Sequence, residues 1–204
     1  ANLEIAGDRK MISWIDLEGQ MQQVNYLIPN FNMCKSCHII DDVFQPIGPK
    51  PRLLNYEFQY NSGKMNQIKK MMDLEWLDKI EDIDIIPVTA DWEDPHFSLD
   101  DRARAYLDVN CAHCHNAKGQ AKTSGLFLEY NQKDQTKLGV YKTPVATGRG
   151  SGGLFFNIVP GNADESILVY RMESTDPGVL MPESGRKVVH TEGLKLIREW
   201  IYSL

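Results

Sequence analysis

The chain has 204 residues, a net charge of −6 at pH 7 and a sequence pI near 5.4. This acidic balance disfavours nucleic acid as a partner, because binding to phosphates requires a basic surface. The composition, with 42% hydrophobic and 25% charged residues, is ordinary for a globular protein. No apolar run approaches the ~18 residues that a membrane span needs.

The first predicted element is a β-hairpin. Apolar residues partly alternate over residues 11–17 and again over 21–28, with Glu18-Gly19-Gln20 between the two runs. A period of two is typical of strands, and the intervening glycine favours a turn.

All four cysteines lie in two motifs of the form Cys-x-x-Cys-His, CKSCH at 34–38 and CAHCH at 111–115. This motif is the attachment signature of c-type haem, in which two cysteines bind the porphyrin and the histidine binds the iron. The sequence therefore predicts two covalently bound haem c groups. Cys34, Cys37 and His38 are assigned to the first haem, and Cys111, Cys114 and His115 to the second.

A redox dithiol and a zinc site are the alternative uses of these cysteines. A thioredoxin-like dithiol opens a helix in a βαβ unit and needs no histidine after it. A structural zinc ion takes four protein ligands, so the two cysteine pairs would have to meet across the two halves of the chain. Two complete motifs that use every cysteine favour haem. His113, between the cysteines of the second motif, is expected to face outward.

A helix and an acidic segment are predicted between the motifs. An apolar stripe at helical spacing predicts the helix over residues 65–80. Seven acidic residues lie between Asp78 and Asp94, where we expect either a solvated linker or a docking patch for a basic redox partner. A boundary in this segment divides the chain into a first haem domain at 1–90 and a second at 91–204.

Two further helices are predicted around the second motif. Ser98 and Asp101 form a capping pattern for a helix over residues 98–110, which leads directly into CAHCH. Apolar residues at helical spacing predict a C-terminal helix with Thr191 as its N-cap. Between these helices, the glycine-rich stretch at 147–153 lacks a strand–loop–helix frame and predicts a loop at the haem edge. We expect Arg149 of this loop to neutralise a haem propionate.

The second half of the chain resembles the small class I cytochrome c domains of bacterial proteins, some of which are fused to sugar-dehydrogenase-like domains. The segments that carry the resemblance are ARAYLDVNCAHCHN, GLFLEY, IVPGNADESILVYRM, MPESG and EGLKLIREWI. The resemblance implies a mainly α fold with two cytochrome c-like domains in tandem, the first bearing the N-terminal β-hairpin. It also implies a location in the periplasm or another extracytoplasmic compartment.

The same resemblance assigns further residues of the two sites. Met181 of MPESG matches the family's axial methionine, with Met172 and His190 as its rivals. Pro49, in the Gly-Pro dipeptide after the first motif, matches the proline that orients the proximal histidine, here His38. Because such domains have a helix before the haem motif and residues 1–33 predict none, we expect the chain to begin partway through a larger parent domain.

The sixth ligand of the first haem is left open by the sequence. Met65 is the first choice, since it lies at a predicted loop-to-helix junction; Met71, Met72 and His96 are the other candidates. An open, five-coordinate iron is the alternative. Such an iron would bind peroxide, oxygen or carbon monoxide, whereas a six-coordinate iron passes electrons.

These observations favour an electron carrier over a catalyst. The expected function is electron transfer by a dihaem c-type cytochrome between a donor, such as a dehydrogenase, and an acceptor, both of them redox proteins. The alternative is a dihaem peroxidase-like enzyme with an open first haem. A gas or redox sensor is a third hypothesis, which no specific residue supports.

Overall fold

The structure is a computed structural model that describes residues 4–16 and 18–204. Its strands are β1 (Asp8–Ile15), β2 (Met21–Ile28), β3 (Ile39–Ile40), β4 (Val43–Phe44), β5 (Glu57–Tyr60) and β6 (Gly63–Asn66). Its α-helices are α1 (Phe31–Lys35), α2 (Gln67–Asp73), α3 (Leu99–Asn110), α4 (Gln135–Leu138), α5 (Ile167–Glu173) and α6 (Thr191–Ser203). Short 3-10 turns occur at Pro51–Leu53, Lys122–Ser124 and Gly148–Ser151. None of the helices described is both long and apolar enough to span a membrane.

The predicted N-terminal hairpin is present. Strands β1 and β2 pair antiparallel, with Asp8 opposite Ile28 and Ile15 opposite Met21. Leu17, the last residue of the first predicted strand, lies outside the described residues. Every residue of β1 is exposed, so its alternating apolar residues do not form a buried face.

The hydrophobic core is formed by the C-terminal region, residues 99–204. Helices α3 and α6 pack against each other and bury Leu107, Ile197 and Trp200 completely. The indole Nε1 of Trp200 donates a hydrogen bond of 2.7 Å to Asp100 at the start of α3. Gly193 permits the close approach of the helices, because a Cβ atom there would collide with the ring of Tyr106.

The predicted ends of these two helices are close to the observed ones. The Ser98 hydroxyl accepts a hydrogen bond of 3.1 Å from the backbone N–H of Asp101, which confirms the predicted cap of α3. Helix α6 begins one residue earlier than expected, with His190 in the capping position and Thr191 as the first helical residue.

The prediction of a mainly α fold with two cytochrome c-like domains in tandem is wrong. Helices take up 29% and strands 16% of the structure, which has six helices and three small two-stranded sheets among its described residues. The N-terminal region, residues 4–98, buries too few side chains to support a helical core of its own. Its buried side chains, among the residues described, are Asn55, Ile68, Thr89 and Ala90.

Helix α2 is shorter than predicted because few buried side chains surround it. The helix predicted over residues 65–80 begins at Gln67 and ends at Asp73. Glu75 adopts a left-handed backbone with φ of 56°, which a helix cannot continue through. Trp76 is 72% exposed, so the C-terminal half of the predicted apolar stripe has no core to pack against.

Polar contacts join the N-terminal region to α3. The carboxylate of Asp108 is completely buried and accepts hydrogen bonds from Lys50 Nζ at 2.9 and 3.0 Å. It also accepts from the Arg52 guanidinium and, at 3.1 Å, from the backbone N–H of Tyr130. A buried carboxylate needs such partners to offset the loss of hydration, so this cluster fixes the position of residues 50–52 on the core.

Candidate haem sites

Both Cys-x-x-Cys-His motifs fold into a single helical turn. The carbonyl of Cys34 accepts a hydrogen bond of 3.1 Å from the N–H of His38, and the carbonyl of Cys111 accepts one of 2.9 Å from His115. The first turn continues the short helix α1, which Asn30 caps, and the second continues the longer helix α3. Each histidine therefore follows its cysteines in the same local geometry.

The ring of His115 is oriented by a backbone carbonyl. Its Nδ1 lies 3.3 Å from the carbonyl oxygen of Leu126, which can only accept, so Nδ1 carries the proton. The other ring nitrogen, Nε2, is then unprotonated and suited to bind a metal. Burial lowers the pKa of His115 below its usual value, which favours this neutral form.

The ring of His38 is oriented in the same way by a different element. Asp41 and Asp42, with φ of 48° and 64°, form the two-residue turn between β3 and β4. This hairpin returns the chain so that the Gln45 carbonyl lies 3.1 Å from His38 Nδ1. Pro49, the residue expected to orient His38, is exposed and lies four positions beyond Gln45.

A cavity of about 350 Å³ opens over the second motif. Its walls contain Cys111, Cys114 and His115, together with the apolar side chains of Leu126, Leu128, Ile167 and Leu168. Met181, the predicted sixth ligand, lines the same cavity. Its volume and mostly apolar walls with a few polar groups are typical of a cofactor site.

The two other candidates for the sixth ligand of the second haem, Met172 and His190, make contacts elsewhere. Met172 belongs to the buried hydrophobic core, although it also lines both cavities. His190 stacks on the ring of Tyr106, whose hydroxyl lies 3.0 Å from His190 Nδ1. Its Nε2 lies 3.6 Å from the carboxylate of Glu192.

A second cavity, of about 620 Å³, adjoins the first and shares Cys111 and Met181 with it. The hairpin contributes Val24 and Tyr26, and the loop after Met181 contributes residues 184–190. Cys37 and His113 line both cavities, so the first motif meets the second at the wall between them.

Arg171 and Arg186 are cations on the cavity walls that the sequence analysis did not identify. Arg171 Nε donates to the Val179 carbonyl at 2.8 Å, and Arg186 Nη1 donates to the Met172 carbonyl at 2.6 Å. Neither guanidinium has a carboxylate within ion-pair distance among the described residues, and burial lowers both pKa values. Glu183 lies on the same wall and its charge acts on Arg171, but neither cation has a carboxylate in contact within the described part of the chain, which favours an anionic ligand. No sequence motif marks these positions.

Arg149, the arginine expected to neutralise a propionate, has a different position. Its guanidinium pairs with Asp176 through two hydrogen bonds of 2.8 and 3.1 Å. Both side chains are largely exposed, and Arg149 belongs to neither cavity wall.

The candidates for the sixth ligand of the first haem also lie away from the two cavities. Met65 is in β6 opposite Phe58, and Met72 Sδ accepts a hydrogen bond of 3.2 Å from the N–H of Ile80. The side chain of His96 is 92% exposed and lies 2.7 Å from Asp94. In the part of the chain that the structure describes, only Met172 and Met181 among the methionines line either cavity.

The two motifs touch at a junction formed by Cys37, His113 and Cys114. Their two sulfur atoms and one imidazole nitrogen all lie within 4.8 Å of one another. The neighbouring Cys114 and His113 side chains hold the pKa of Cys37 well below its usual value, and the Cys37 thiol raises the pKa of Cys114. The expectation that His113 faces outward is wrong, because its Nδ1 is buried and has no partner among the residues described.

No protein family model matches the chain, and neither a curated protein nor a solved structure is significantly similar to it. Its function therefore has to be inferred from its own residues and their geometry.

Proposed function

We propose that the chain is a dihaem c-type cytochrome that passes single electrons between redox proteins in the periplasm or another extracytoplasmic compartment. The observation that carries this proposal is the pair of Cys-x-x-Cys-His turns in which each histidine directs Nδ1 at a backbone carbonyl. That arrangement would leave Nε2 of both His38 and His115 to bind a metal, as is usual for histidines that bind iron.

The residues around the second motif fit a haem. Cys111 and Cys114 would hold it through thioether bonds, and His115 and Met181 would bind its iron. The apolar walls would exclude water, and Arg171 would balance the charge of a propionate. Bound haem iron supplies reversible one-electron chemistry, and a methionine ligand raises its reduction potential.

The residues around the first motif provide attachment but less enclosure. Cys34 and Cys37 would hold the first haem, and His38 would bind its iron. Of these three residues only Cys37 lies on a cavity wall. We therefore expect a more exposed first haem, with Met65 as the first choice for its sixth ligand and an open iron as the alternative.

Covalent haem content tests the proposal directly. The chain would be exported to the periplasm of a host that carries a cytochrome c maturation system, and its intact mass would be measured. We expect two haem additions for the wild type, and one for each double variant, Cys34→Ser/Cys37→Ser and Cys111→Ser/Cys114→Ser. A chain without covalent haem, from cells in which a control cytochrome matures normally, would contradict the proposal.

A zinc site is a second candidate that one observation favours. The two cysteine pairs do meet across the two halves of the chain, and Cys37, His113 and Cys114 offer two sulfurs and a nitrogen to one ion. Cys34 and Cys111 lie outside this cluster, which favours haem. Since thioether formation consumes both sulfurs, the two assignments exclude each other. Stoichiometric zinc in the exported, haem-free protein would support the zinc site.

A further inference from the structure

The contact between the two motifs has a geometry that separate haem sites would not require. The Cys114 thiol lies 3.4 Å from the Ser36 carbonyl, and the sulfurs of Cys37 and Cys114 lie within 4.8 Å of each other. All four cysteines are free thiols, so no disulfide accounts for this approach. The second cysteine of one motif therefore faces the second cysteine of the other.

Contacts on both sides hold this junction in place. The backbone N–H of Asp41 donates to the Lys118 carbonyl at 3.3 Å, and the Asp41 carboxylate lies 3.2 Å from Lys118 Nζ. The ion pair is exposed and contributes little, but the backbone hydrogen bond ties the β3–β4 turn to the loop after the second motif. Farther away, the buried Asp108 cluster fixes residues 50–52 on α3.

We infer that this junction attaches the two haems side by side, so that they form one coupled redox unit rather than two separate carriers. The inference rests on the proposed function. A thioether joins the cysteine sulfur to the former vinyl carbon, which is bonded directly to the porphyrin ring. Two adjacent thioether sulfurs, at Cys37 and Cys114, would therefore hold both groups beside the junction. The bound irons would supply one-electron exchange between the two sites, with no change in bonds or protons.

Circular dichroism in the Soret region tests the coupling without any assay of electron transfer to partners. Two haems held close together give a paired positive and negative band, because their strong electronic transitions interact. We expect this couplet in the wild-type protein that carries two haems by mass. We expect it to be absent from the sum of the spectra of the two single-haem double variants.

A matched pair of single substitutions locates the coupling at the junction. Cys37→Ser and Cys34→Ser each leave the first haem attached through one thioether, but only Cys37→Ser removes the bond at the junction. In the fraction that still carries two haems, we expect the couplet to fall severalfold in Cys37→Ser and to persist in Cys34→Ser.

The failures of this inference and of the proposed function are distinguishable. Absence of covalent haem contradicts the function. A wild-type protein with two haems and no couplet overturns the inference alone, and needs no variant to fold. Equal couplets in Cys37→Ser and Cys34→Ser, or a greater loss in Cys34→Ser, also overturn it.

Discussion

The two Cys-x-x-Cys-His motifs share one backbone turn but have very different surroundings. The second follows α3, which is packed against α6 in the hydrophobic core. The first begins inside the five-residue helix α1, which has no buried residue, and precedes the two-residue strands β3 and β4. The N-terminal region depends on hairpins and on polar contacts such as the Asp108 cluster.

This difference shows that a Cys-x-x-Cys-His turn and the cavity around it are formed by different interactions. The turn depends on local hydrogen bonds, which both motifs make. An enclosed cavity needs apolar side chains from several elements, which the C-terminal region supplies through Leu126, Leu128 and Ile167. We therefore expect the second haem to be the closed, methionine-bound one, and any ligand-binding chemistry to belong to the first.

The largest expected effect is a difference in stability between two tryptophan variants. Trp200 is fully buried between α3 and α6, so Trp200→Ala should lower the free energy of unfolding by about 3–5 kcal/mol. Trp76 is 72% exposed in the N-terminal region, so Trp76→Ala should change it by no more than about 0.5 kcal/mol. Urea denaturation of the haem-loaded protein measures both. Equal losses would show that the N-terminal region has a core of comparable importance.

The contact between the two regions is tested at Asp108. Asp108→Ala leaves Lys50 and Arg52 without their carboxylate, but these side chains remain 35% and 26% exposed. We therefore expect a loss of about 2 kcal/mol, below the range for a fully buried pair. Limited proteolysis should also cleave the N-terminal region faster than in the wild type.

Asp176→Ala is the matched control for Asp108→Ala. Its pair with Arg149 is exposed, so its removal should cost between about 0 and 1 kcal/mol. If the two variants lost the same stability, the buried cluster would not be the principal link between the regions.

Substitutions of the two candidate methionine ligands would distinguish the two proposed haem irons. Met181→Leu should abolish the weak long-wavelength band of the ferric second haem and lower its reduction potential, because the thioether ligand is lost. Met65→Leu should leave that band unchanged. Any change it causes should appear in the first haem, observed in the Cys111→Ser/Cys114→Ser variant. Persistence of the band in Met181→Leu would exclude Met181 as the ligand.

The catalytic alternative is tested with the same proteins. An electron carrier should turn over hydrogen peroxide slowly. Rapid turnover by the wild type, retained in the variant that keeps only the first haem, would instead favour a peroxidase-like enzyme with an open first iron.

The smallest expected effect is in acid sensitivity. Burial lowers the pKa of His115, so its imidazole stays neutral, and able to bind iron, to lower pH. On acidification, the variant that keeps only the second haem should change to a high-spin spectrum below the usual pKa of histidine. A change at or above that pKa would show that enclosure does not protect the second site.

Several features could be predicted because they depend on neighbours in sequence. The hairpin follows from alternation, and the cap of α3 follows from Ser98 and Asp101. The predicted helix over residues 65–80 was too long because periodicity cannot show whether a core exists to cover Trp76. Pro49 was assigned by resemblance and Arg149 from its glycine-rich loop, whereas the carbonyl at His38 comes from Gln45 and the cations on the cavity walls are Arg171 and Arg186.

By itself, the sequence determined the two cysteine–histidine turns, the hairpin and the two long helices of the C-terminal region. Each of these elements depends on residues that are close together in the sequence. The tertiary structure decided that one region forms the core, that Met181 and His115 line one cavity, and that the two motifs meet at Cys37 and Cys114. Those residues are far apart along the chain. Burial of apolar side chains in the C-terminal region, and polar contacts such as the Asp108 cluster between the two regions, fix which of them come together.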